Sequence, residues 1–210
     1  MAPAKRQIGL FGGSFDPPHL GHVALVHAAL ALGLDEVWVI PALPVHRQLS
    51  GCADGFTRLG WLEKIFAGQP RVKVVDWEVT RQQPTPAVDT LRRFRVNYPD
   101  LTPWLLLGVD AWVGLESWRE YPAHRMLCNV AVFARQGLEN IPAHEGWQQV
   151  ERSDACVTPG HWCFVDVTLP DISATLIREY AEQGRSLMDW VPAVVCSDIE
   201  KNYAVMKEKM

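Results

Sequence analysis

The sequence lacks the features of a membrane protein, a disulfide-rich secreted domain or a nucleic-acid-binding protein. Its apolar runs, such as Ile8 to Phe11, are far shorter than the roughly 20 residues of a membrane-spanning helix. Its five cysteines form no Cys-x-x-Cys pair, which argues against a disulfide framework and a zinc ribbon. Its 20 basic residues are outnumbered by 24 acidic ones, so the formal charge of -4 predicts no large positive surface. We therefore expect a cytoplasmic protein that binds neither nucleic acid nor a membrane.

What remains is the composition of a globular protein with a sizeable core. Hydrophobic residues make up 48% of the 210 residues and charged residues 21%. This length fits one domain better than two, so we expect residues 1–210 to form a single domain, with a C-terminal helical segment from about residue 173. The stretch from Gln136 to His161, rich in Glu, Gln, His, Gly and Pro, is predicted to be a surface excursion.

Short apolar runs of strand length alternate with longer segments of helical spacing. The predicted strands are Ile8 to Phe11, Val37 to Ile40, Val72 to Val75, Trp104 to Leu107, Val130 to Phe133 and Cys163 to Val167. The predicted helices are Leu20 to Leu32, Phe56 to Ala67 and Val88 to Val96, and a last helix is expected within Val191 to Met210. The strands are nearly continuous hydrophobic runs, which indicates burial on both faces. The pattern predicts an α/β fold with a doubly wound parallel sheet, whose ligands bind beyond the carboxyl ends of the strands.

A glycine-containing loop joins the first predicted strand to the first predicted helix. Gly12 and Gly13 let the backbone turn tightly, and the helix N-terminus that follows presents unpaired N–H groups and a partial positive charge. His19 and His22 are three residues apart, so both imidazoles can lie on one side of the first helical turn. The loop is neither a Walker A sequence nor a Gly-x-Gly-x-x-Gly fingerprint. We interpret it as a polyphosphate-binding loop.

A second segment, near the C-terminus, has the residues of a phosphate clamp. Ser173 stands where a helix N-cap belongs, and Thr175 and Arg178 are three residues apart on one face. A capped helix with an exposed arginine is the alternative interpretation. After the second strand, His46 and Arg47 form a cationic pair that could close over phosphates or be an exposed basic loop.

Two of these segments resemble the motifs of a known superfamily. Gly12 to His22 resembles the signature of the nucleotidyltransferases with a His-x-Gly-His motif, and Ile172 to Arg178 resembles their Ile-Ser-x-Thr-x-x-Arg motif, which binds the β and γ phosphates. The chain is most similar to the bacterial nicotinate-nucleotide adenylyltransferases, also through Pro41 to Arg47, Glu78 to Leu91 and Gly108 to Trp118. The resemblance covers nearly the whole chain. It implies a Rossmann-like nucleotidyltransferase fold and the transfer of AMP from ATP to nicotinate mononucleotide, giving deamido-NAD and pyrophosphate in NAD biosynthesis.

The resemblance also implies which residues form the site. Residues expected to bind ATP are Gly12, Gly13, Ser14, Phe15, His19, His22, Gly108, Asp110, Ile172, Ser173, Thr175 and Arg178. Residues expected to bind the mononucleotide are Ser14, Asp16, His46, Arg47, Thr85, Val88, Trp118 and Arg119. The catalytic residues are expected to be His19, His22, Arg47 and Arg178. Asp110 as a helix N-cap, Asp16 as a structural turn residue and Trp118 as an ordinary packing aromatic are the alternatives.

The expected reaction needs charge neutralisation rather than a protein nucleophile. A phosphate monoester has a second pKa of about 6 and is largely dianionic near neutrality, so it needs no strong general base. The site must align two anions and stabilise the charge that develops on the α-phosphoryl group and the leaving pyrophosphate. We expect Mg²⁺ to arrive with ATP, held by phosphate oxygens and water, with no dedicated metal site in the protein.

Three questions stay open at the level of the sequence. Pro86 and Ala87 replace a Tyr and a Thr of the family pattern, which leaves nicotinamide mononucleotide or another phosphate acceptor as the alternative substrate. A non-catalytic ATP-binding sensor is the alternative from another functional class, although both histidines and Arg178 are present. A homo-oligomer is the third question, because the last helix could pack on the sheet or on a second subunit.

Overall fold

The computed structural model describes residues 6–43, 52–81, 83–134, 141–151 and 158–207, and the strands in these ranges form one sheet. The strands are β1 (Ile8–Gly13), β2 (Glu36–Pro41), β3 (Val72–Val74), β4 (Trp104–Gly108), β5 (Asn129–Ala134), β6 (Gln148–Gln149) and β7 (His161–Asp166). These seven strands of the described residues have the order β3-β2-β1-β4-β5-β7-β6, and each neighbouring pair is parallel. The chain builds outward from β1 to β3, returns to β4 beside β1, and builds outward through β5 on the other side, where β7 lies between β5 and the edge strand β6. The predicted doubly wound parallel sheet is confirmed.

The helices lie where the sequence predicts them, with two short additions. The three predicted N-terminal helices are α1 (Leu20–Ala31), α2 (Gly55–Ile65) and α3 (Ala87–Asn97). They are followed by α4 (Val109–Val113), a 3-10 turn (Leu115–Ser117), α5 (Tyr121–His124), α6 (Ala174–Glu182) and α7 (Ala193–Lys207). The sequence predicts neither α4 nor α5, because helices of five and four residues are too short to show a helical period.

Alternate residues of each strand point into two separate cores, one on each face of the sheet. In β1, Leu10 packs with side chains of α3 and α4, whereas Phe11 packs with side chains of α1 and α2. In β2, Trp38 and Val39 divide between the two cores in the same way. Burial of each large apolar side chain stabilises the fold by roughly 1.5–3 kcal/mol. This two-sided burial explains why the strands are nearly continuous hydrophobic runs.

A third apolar cluster lies between α2, α6 and α7. Its buried members include Trp61 of α2, Ile177 of α6 and Tyr203 of α7. The last helix therefore packs on two other helices of its own chain. Trp190 packs at the edge of this cluster, with its ring centroid 5.7 Å from that of Tyr180. Both tryptophans are packing residues.

Three segments of chain follow the carboxyl ends of the strands on the same side of the sheet. β1 leads into a loop of residues 14–19, β4 leads directly into α4, and β7 leads through residues 167–173 into α6. β1 and β4 are neighbours, and between them the winding direction of the sheet reverses. Open α/β sheets bind ligands at this position. Within the ranges given above, no helix is long and apolar enough to cross a membrane.

Candidate active site

The loop of residues 14–19 is built around the ring of Phe15. Phe15 has a φ of 46°, in the left-handed region that residues with side chains rarely adopt, and it is 1% exposed. Its ring centroid lies 5.2 Å from that of Phe11 and 4.9 Å from that of His22, edge to face in both cases. A Cβ atom on Gly13 would lie 3.0 Å from the same ring, so this close approach requires glycine. Backbone strain of this kind concentrates at functional sites.

His19 and His22 form a stacked pair at the start of α1. Their ring centroids are 3.6 Å apart and their planes differ by 21°, so the predicted placement on one side of the turn is confirmed. The backbone N–H of His19, the N-cap residue, donates to Nδ1 of His22 over 3.2 Å. Because Nδ1 accepts this hydrogen bond, a neutral His22 ring carries its proton on Nε2. His22 thus has a defined N–H donor to offer to a ligand.

Burial keeps both histidines neutral at pH 7 when no anion lies beside them. Burial lowers the pKa of His19 to about 4. Burial and the nearby His19 ring lower the pKa of His22 well below its ordinary value. Nδ1 of His19 is buried with no hydrogen-bond partner among the described residues. An anion next to the rings would favour their charged forms, so the pair can gain positive charge when a phosphate group binds.

The start of α6 reaches the loop through Arg178. Ser173 is the N-cap residue of α6, and its side chain makes no capping hydrogen bond. Nη2 of Arg178 donates to Oγ1 of Thr175 over 3.1 Å, which confirms that the two side chains share one face. Nη1 of Arg178 donates to the backbone carbonyl of Asp16 over 2.6 Å. This hydrogen bond joins the two predicted phosphate-binding segments, although Asp16 and Arg178 are 162 residues apart in the sequence.

A cleft of about 360 Å³ opens between the start of α1, the start of α4 and the segment before α6. Among the predicted ATP-binding residues, those that line it are His19, His22, Gly108, Asp110 and Ile172. Gly108 is the N-cap of α4, and Asp110 is exposed in the first turn of that helix. The alternative in which Asp110 is the helix N-cap is therefore wrong, and its carboxylate is available at the cleft.

Asp16 is a buried residue of the loop that makes hydrogen bonds with three other parts of the chain. Its side chain is 3% exposed, and Oδ1 accepts hydrogen bonds from the Tyr203 hydroxyl (2.7 Å) and the Ala53 backbone N–H (3.0 Å). Its backbone carbonyl accepts from Arg178, as described above. These contacts are those of the structural alternative that the sequence left open, because protein groups already use the carboxylate.

The buried side chain of Arg58 donates hydrogen bonds to the same loop and to two other segments. Its side chain is buried in α2, and the residue is 1% exposed. Nη1 donates to the backbone carbonyls of Ser14 and Ala42, and Nε donates to that of Ala53 over 3.0 Å. Burial lowers the pKa of Arg58. One guanidinium thus fixes the loop after β1, the end of β2 and the approach to α2 relative to one another.

A second polar region lies at the start of α3. Thr85 and Val88 are buried there, and Pro86 is the N-cap residue of the helix. Oγ1 of Thr90 donates to Oε1 of Glu78 over 2.6 Å, and both side chains are buried. Burial raises the pKa of Glu78 to about 7, although the hydrogen bond from Thr90 acts in the opposite direction. The first turn of α3 is therefore tied to a carboxyl group that is partly protonated at neutral pH.

The segment after the 3-10 turn faces the start of α3. Trp118 is partly buried with its ring centroid 5.9 Å from that of His124, and Arg119 is exposed. Arg92 of α3 forms a salt bridge of 2.6 Å with Glu120. Glu120 has a φ of 56°, a second left-handed residue directly after Arg119. The salt bridge and the strained backbone hold residues 118–120 beside α3.

Comparison with known proteins finds relatives that span nearly the whole chain. The family model described as cytidylyltransferase-like matches residues 10–180. A relative from Nitratiruptor sp. is 38% identical over 198 residues, covering 94% of this chain and 98% of its own length. One from Shouchella clausii is 33% identical over 198 residues, covering 93% of this chain and 95% of its own length. Both are named "probable nicotinate-nucleotide adenylyltransferase". This chain belongs to the nicotinate-nucleotide adenylyltransferase family.

A solved structure shares the fold of this adenylyltransferase family member. Plasmodium falciparum nicotinic acid mononucleotide adenylyltransferase, complexed with NaAD, superposes with a TM-score of 0.73 at 18% identity. The superposition covers 96% of this chain and 98% of the other chain. The Rossmann-like nucleotidyltransferase fold that the resemblance implies is confirmed.

Two of the family residues expected at the site, His46 and Arg47, lie outside the described residues. The other expected residues divide between two regions. Those around the loop after β1, the start of α4 and the start of α6 surround or adjoin the cleft. Thr85, Val88, Trp118 and Arg119 lie in the second polar region.

The polar groups around the cleft suit phosphate better than a metal ion. Apart from the Asp110 carboxylate, they are imidazole, hydroxyl, guanidinium and backbone N–H groups, which donate hydrogen bonds to anions. No group of three or more His, Cys, Asp or Glu side chains that could hold a metal ion occurs in the part of the chain that the structure describes. This donor chemistry fits a Mg²⁺ ion that is held mainly by the phosphates of a nucleotide.

Sequence reasoning missed four residues that shape the two regions: Arg58, Glu78, His144 and Tyr203. Arg58 did leave a signal, because it lies on the apolar face of α2 with Leu62, one turn away. Tyr203 left none, since its partner Asp16 is 187 residues away.

Proposed function

We propose that this protein joins nicotinate mononucleotide to the AMP moiety of ATP, giving deamido-NAD and pyrophosphate in NAD biosynthesis. The observation that carries the proposal is the meeting of two phosphate-type segments at Arg178 and Asp16, beside the stacked pair of histidines. The names of the curated relatives support the same activity. We further propose that residues 1–210 form one nucleotidyltransferase domain that works in the cytoplasm.

Five of the proposed ATP-binding residues line the cleft, and the others belong to the end of β1, to the loop after it and to the start of α6. ATP would lie with its adenosine toward Gly108 and Asp110 and its phosphates toward the loop after β1 and the start of α6. The phosphate donors would be backbone N–H groups of residues 12–15, the rings of His19 and His22, and the side chains of Ser173, Thr175 and Arg178. Donors fixed before the substrate arrives stabilise developing charge without reorganisation.

In the proposed reaction the 5′-phosphate oxygen of the mononucleotide attacks the α-phosphorus of ATP, and the bond to the leaving pyrophosphate breaks. His22 would stabilise the α-phosphoryl group through Nε2–H, and Arg178 with Thr175 would hold the β and γ phosphates as pyrophosphate leaves. Bound Mg²⁺ would supply further charge neutralisation on the phosphate oxygens. No covalent enzyme intermediate is needed, because the attacking phosphate is itself a good nucleophile at neutral pH.

The mononucleotide would bind in the second polar region, where Thr85, Val88, Trp118 and Arg119 lie. The N-terminal end of a helix such as α3 carries a partial positive charge, which favours an anion. This favours nicotinate, which carries a carboxylate, over nicotinamide. Ser14 of the loop, with His46 and Arg47, would complete the proposed contacts to the mononucleotide, while Asp16 would support the loop from within the protein.

The test is pyrophosphate release from Mg-ATP with nicotinate mononucleotide, nicotinamide mononucleotide or phosphopantetheine as acceptor, against a blank with no acceptor. We expect the highest kcat/KM with nicotinate mononucleotide. Preference for another acceptor would keep the adenylyl transfer and overturn the choice of base. Tight ATP binding with no release for any acceptor would support the alternative of a non-catalytic sensor. The same preparation, measured by light scattering, would test for a homo-oligomer.

A further inference from the structure

The segment of residues 141–147 covers the C-terminal end of α4. Nε1 of Trp112 donates to the backbone carbonyl of Pro142 over 2.8 Å. The ring of Trp147 lies edge to face with that of Trp112, with centroids 5.7 Å apart. The ring of His144 contacts those of Trp112 and Tyr121, with its centroid 4.5 Å from that of Trp112 and 5.7 Å from that of Tyr121. Part of the surface excursion that the sequence predicts is therefore packed tightly on the chain that leads to Trp118.

His144 connects the two sides of the turn between α4 and the 3-10 helix. Nε2 lies 2.7 Å from the backbone carbonyl of Trp112, and Nδ1 lies 3.0 Å from Oε1 of Glu116. The side chain of His144 is 6% exposed and that of Glu116 is 63% exposed. The ring thus bridges two residues that are four positions apart in the chain, Trp112 and Glu116, with one contact at each ring nitrogen.

The chemistry of these two contacts fixes the orientation of the ring. A carbonyl oxygen can only accept a hydrogen bond, so Nε2 of His144 donates to the carbonyl of Trp112. The other ring nitrogen, Nδ1, faces the carboxylate of Glu116. The ring therefore connects the C-terminal end of α4 to the 3-10 turn.

This pair lies between the two halves of the proposed substrate site. On its N-terminal side, α4 begins at the cleft with Gly108 and Asp110. On its C-terminal side, the 3-10 turn runs into Trp118, whose N–H donates to the carbonyl of Leu115 over 3.0 Å. Fixing the turn at Glu116 therefore fixes where residues 118 and 119 stand relative to the cleft.

We propose that His144 is a positioning residue for the mononucleotide: its ring, held between the Trp112 carbonyl and Glu116, sets the position of the wall formed by Trp118 and Arg119, against which the base binds. The proposal rests on the proposed function, since it concerns the acceptor of the same reaction. It gives the 141–147 segment a role in binding the acceptor, without direct contact with ATP.

Steady-state kinetics of His144→Gln and Glu116→Ala test the proposal. Each variant should raise KM for nicotinate mononucleotide by about tenfold, the effect of losing one hydrogen bond to a charged group, while kcat and KM for ATP stay within about twofold. The double variant should be no worse than the more severe single variant, because both changes remove one interaction. His161→Gln is the matched control, since that ring bonds to the Thr158 carbonyl and does not touch the turn.

Two further measurements separate positioning from folding and from the choice of substrate. Long-range ¹H–¹⁵N spectra of histidine-labelled protein should show Nε2 of His144 protonated, and a ring protonated only at Nδ1 would overturn the proposal. Unchanged KM for the mononucleotide in Glu116→Ala, an exposed substitution that should not affect folding, would also overturn it. Failure of the wild-type protein to use any pyridine mononucleotide would overturn the proposed function together with this inference, whatever the spectra show.

Discussion

The two polar regions of this protein hold their ionisable groups neutral in opposite ways. Around the loop after β1, burial lowers the pKa values of His19 and His22, so two groups that could be cationic carry no charge. At the start of α3, burial raises the pKa of Glu78 to about 7, so a group that could be anionic is partly protonated. The first region can gain positive charge when phosphates arrive, and the second carries less negative charge beside the proposed site of a carboxylate. Burial thus prepares both regions for anions.

The largest expected effect of a substitution is at the histidine pair. His22→Ala should lower kcat by about 100-fold or more, as for the loss of one preorganised donor to a developing charge, with a much smaller change in KM for ATP. Pyrophosphate release under saturating substrates measures it. His27→Ala, an exposed position on the same helix, is the matched control. An unchanged kcat in His22→Ala would show that His22 is not catalytic and that the region around the loop after β1 does not use it as a donor to the α-phosphoryl group.

The second expected effect is on how stability depends on pH, and it has opposite signs in the two regions. Between pH 4.5 and 7 the folded state holds the Glu78 proton that the unfolded state releases, so Glu78 makes the free energy of unfolding fall as pH rises through this window. Between pH 4 and 6.5 the unfolded state binds a proton at His19 that the folded state does not, so His19 makes that free energy rise with pH.

Substitutions separate these two contributions. Glu78→Gln keeps the acceptor for Thr90 and should remove the decrease in the free energy of unfolding at higher pH. At pH 8 the free energy of unfolding of the variant should exceed that of wild type by on the order of 1–3 kcal/mol. Urea unfolding at pH 5, 6.5 and 8 measures it. His19→Gln should instead gain most over wild type at pH 5. Parallel pH curves for wild type and Glu78→Gln would contradict the expected shift at the start of α3.

A smaller effect is expected at the hydrogen bond between Tyr203 and Asp16. Tyr203→Phe keeps the aromatic packing with Trp61 and removes one donor from a buried carboxylate, so it should lower the free energy of unfolding by about 1–2 kcal/mol. Because Asp16 also supports Arg178, KM for ATP should rise as well, by a few-fold. Tyr180→Phe, on the neighbouring helix and away from Asp16, is the control. A loss of stability with no change in KM for ATP would show that the hydrogen bond from Tyr203 of α7 stabilises the fold but does not affect how the loop after β1 binds ATP.

The smallest expected signal is a fraction of a proton. If the phosphates of ATP raise the pKa values of the histidine pair, ATP binding near pH 6 takes up protons, and affinity increases as pH falls toward 5.5. Isothermal titration calorimetry in two buffers of different ionisation enthalpy measures the uptake. The His22→Ala variant corrects for the protons that ATP itself binds. Equal uptake in wild type and variant would contradict a role for the pair in charge compensation.

The two regions also differ in how far the sequence alone predicts them. The phosphate region depends on spacing within short segments, such as the three residues between His19 and His22 or between Thr175 and Arg178, and helical geometry turns such spacing into proximity. The order of apolar runs likewise predicts the doubly wound sheet. The second region depends on contacts between distant segments, for example His144 with Trp112 and Glu116. No local period relates these residues, so the sequence leaves the role of the 136–161 stretch open.

One contact described above bears on how the protein is made. The hydroxyl that completes the buried side chain of Asp16 belongs to Tyr203, which the ribosome adds 187 residues later. The loop after β1 is thus synthesised well before its support on α7. A nascent chain that still lacks α7 leaves this carboxylate without its hydroxyl donor. The support of the loop is therefore completed only once α7 has been synthesised and has packed on α2 and α6.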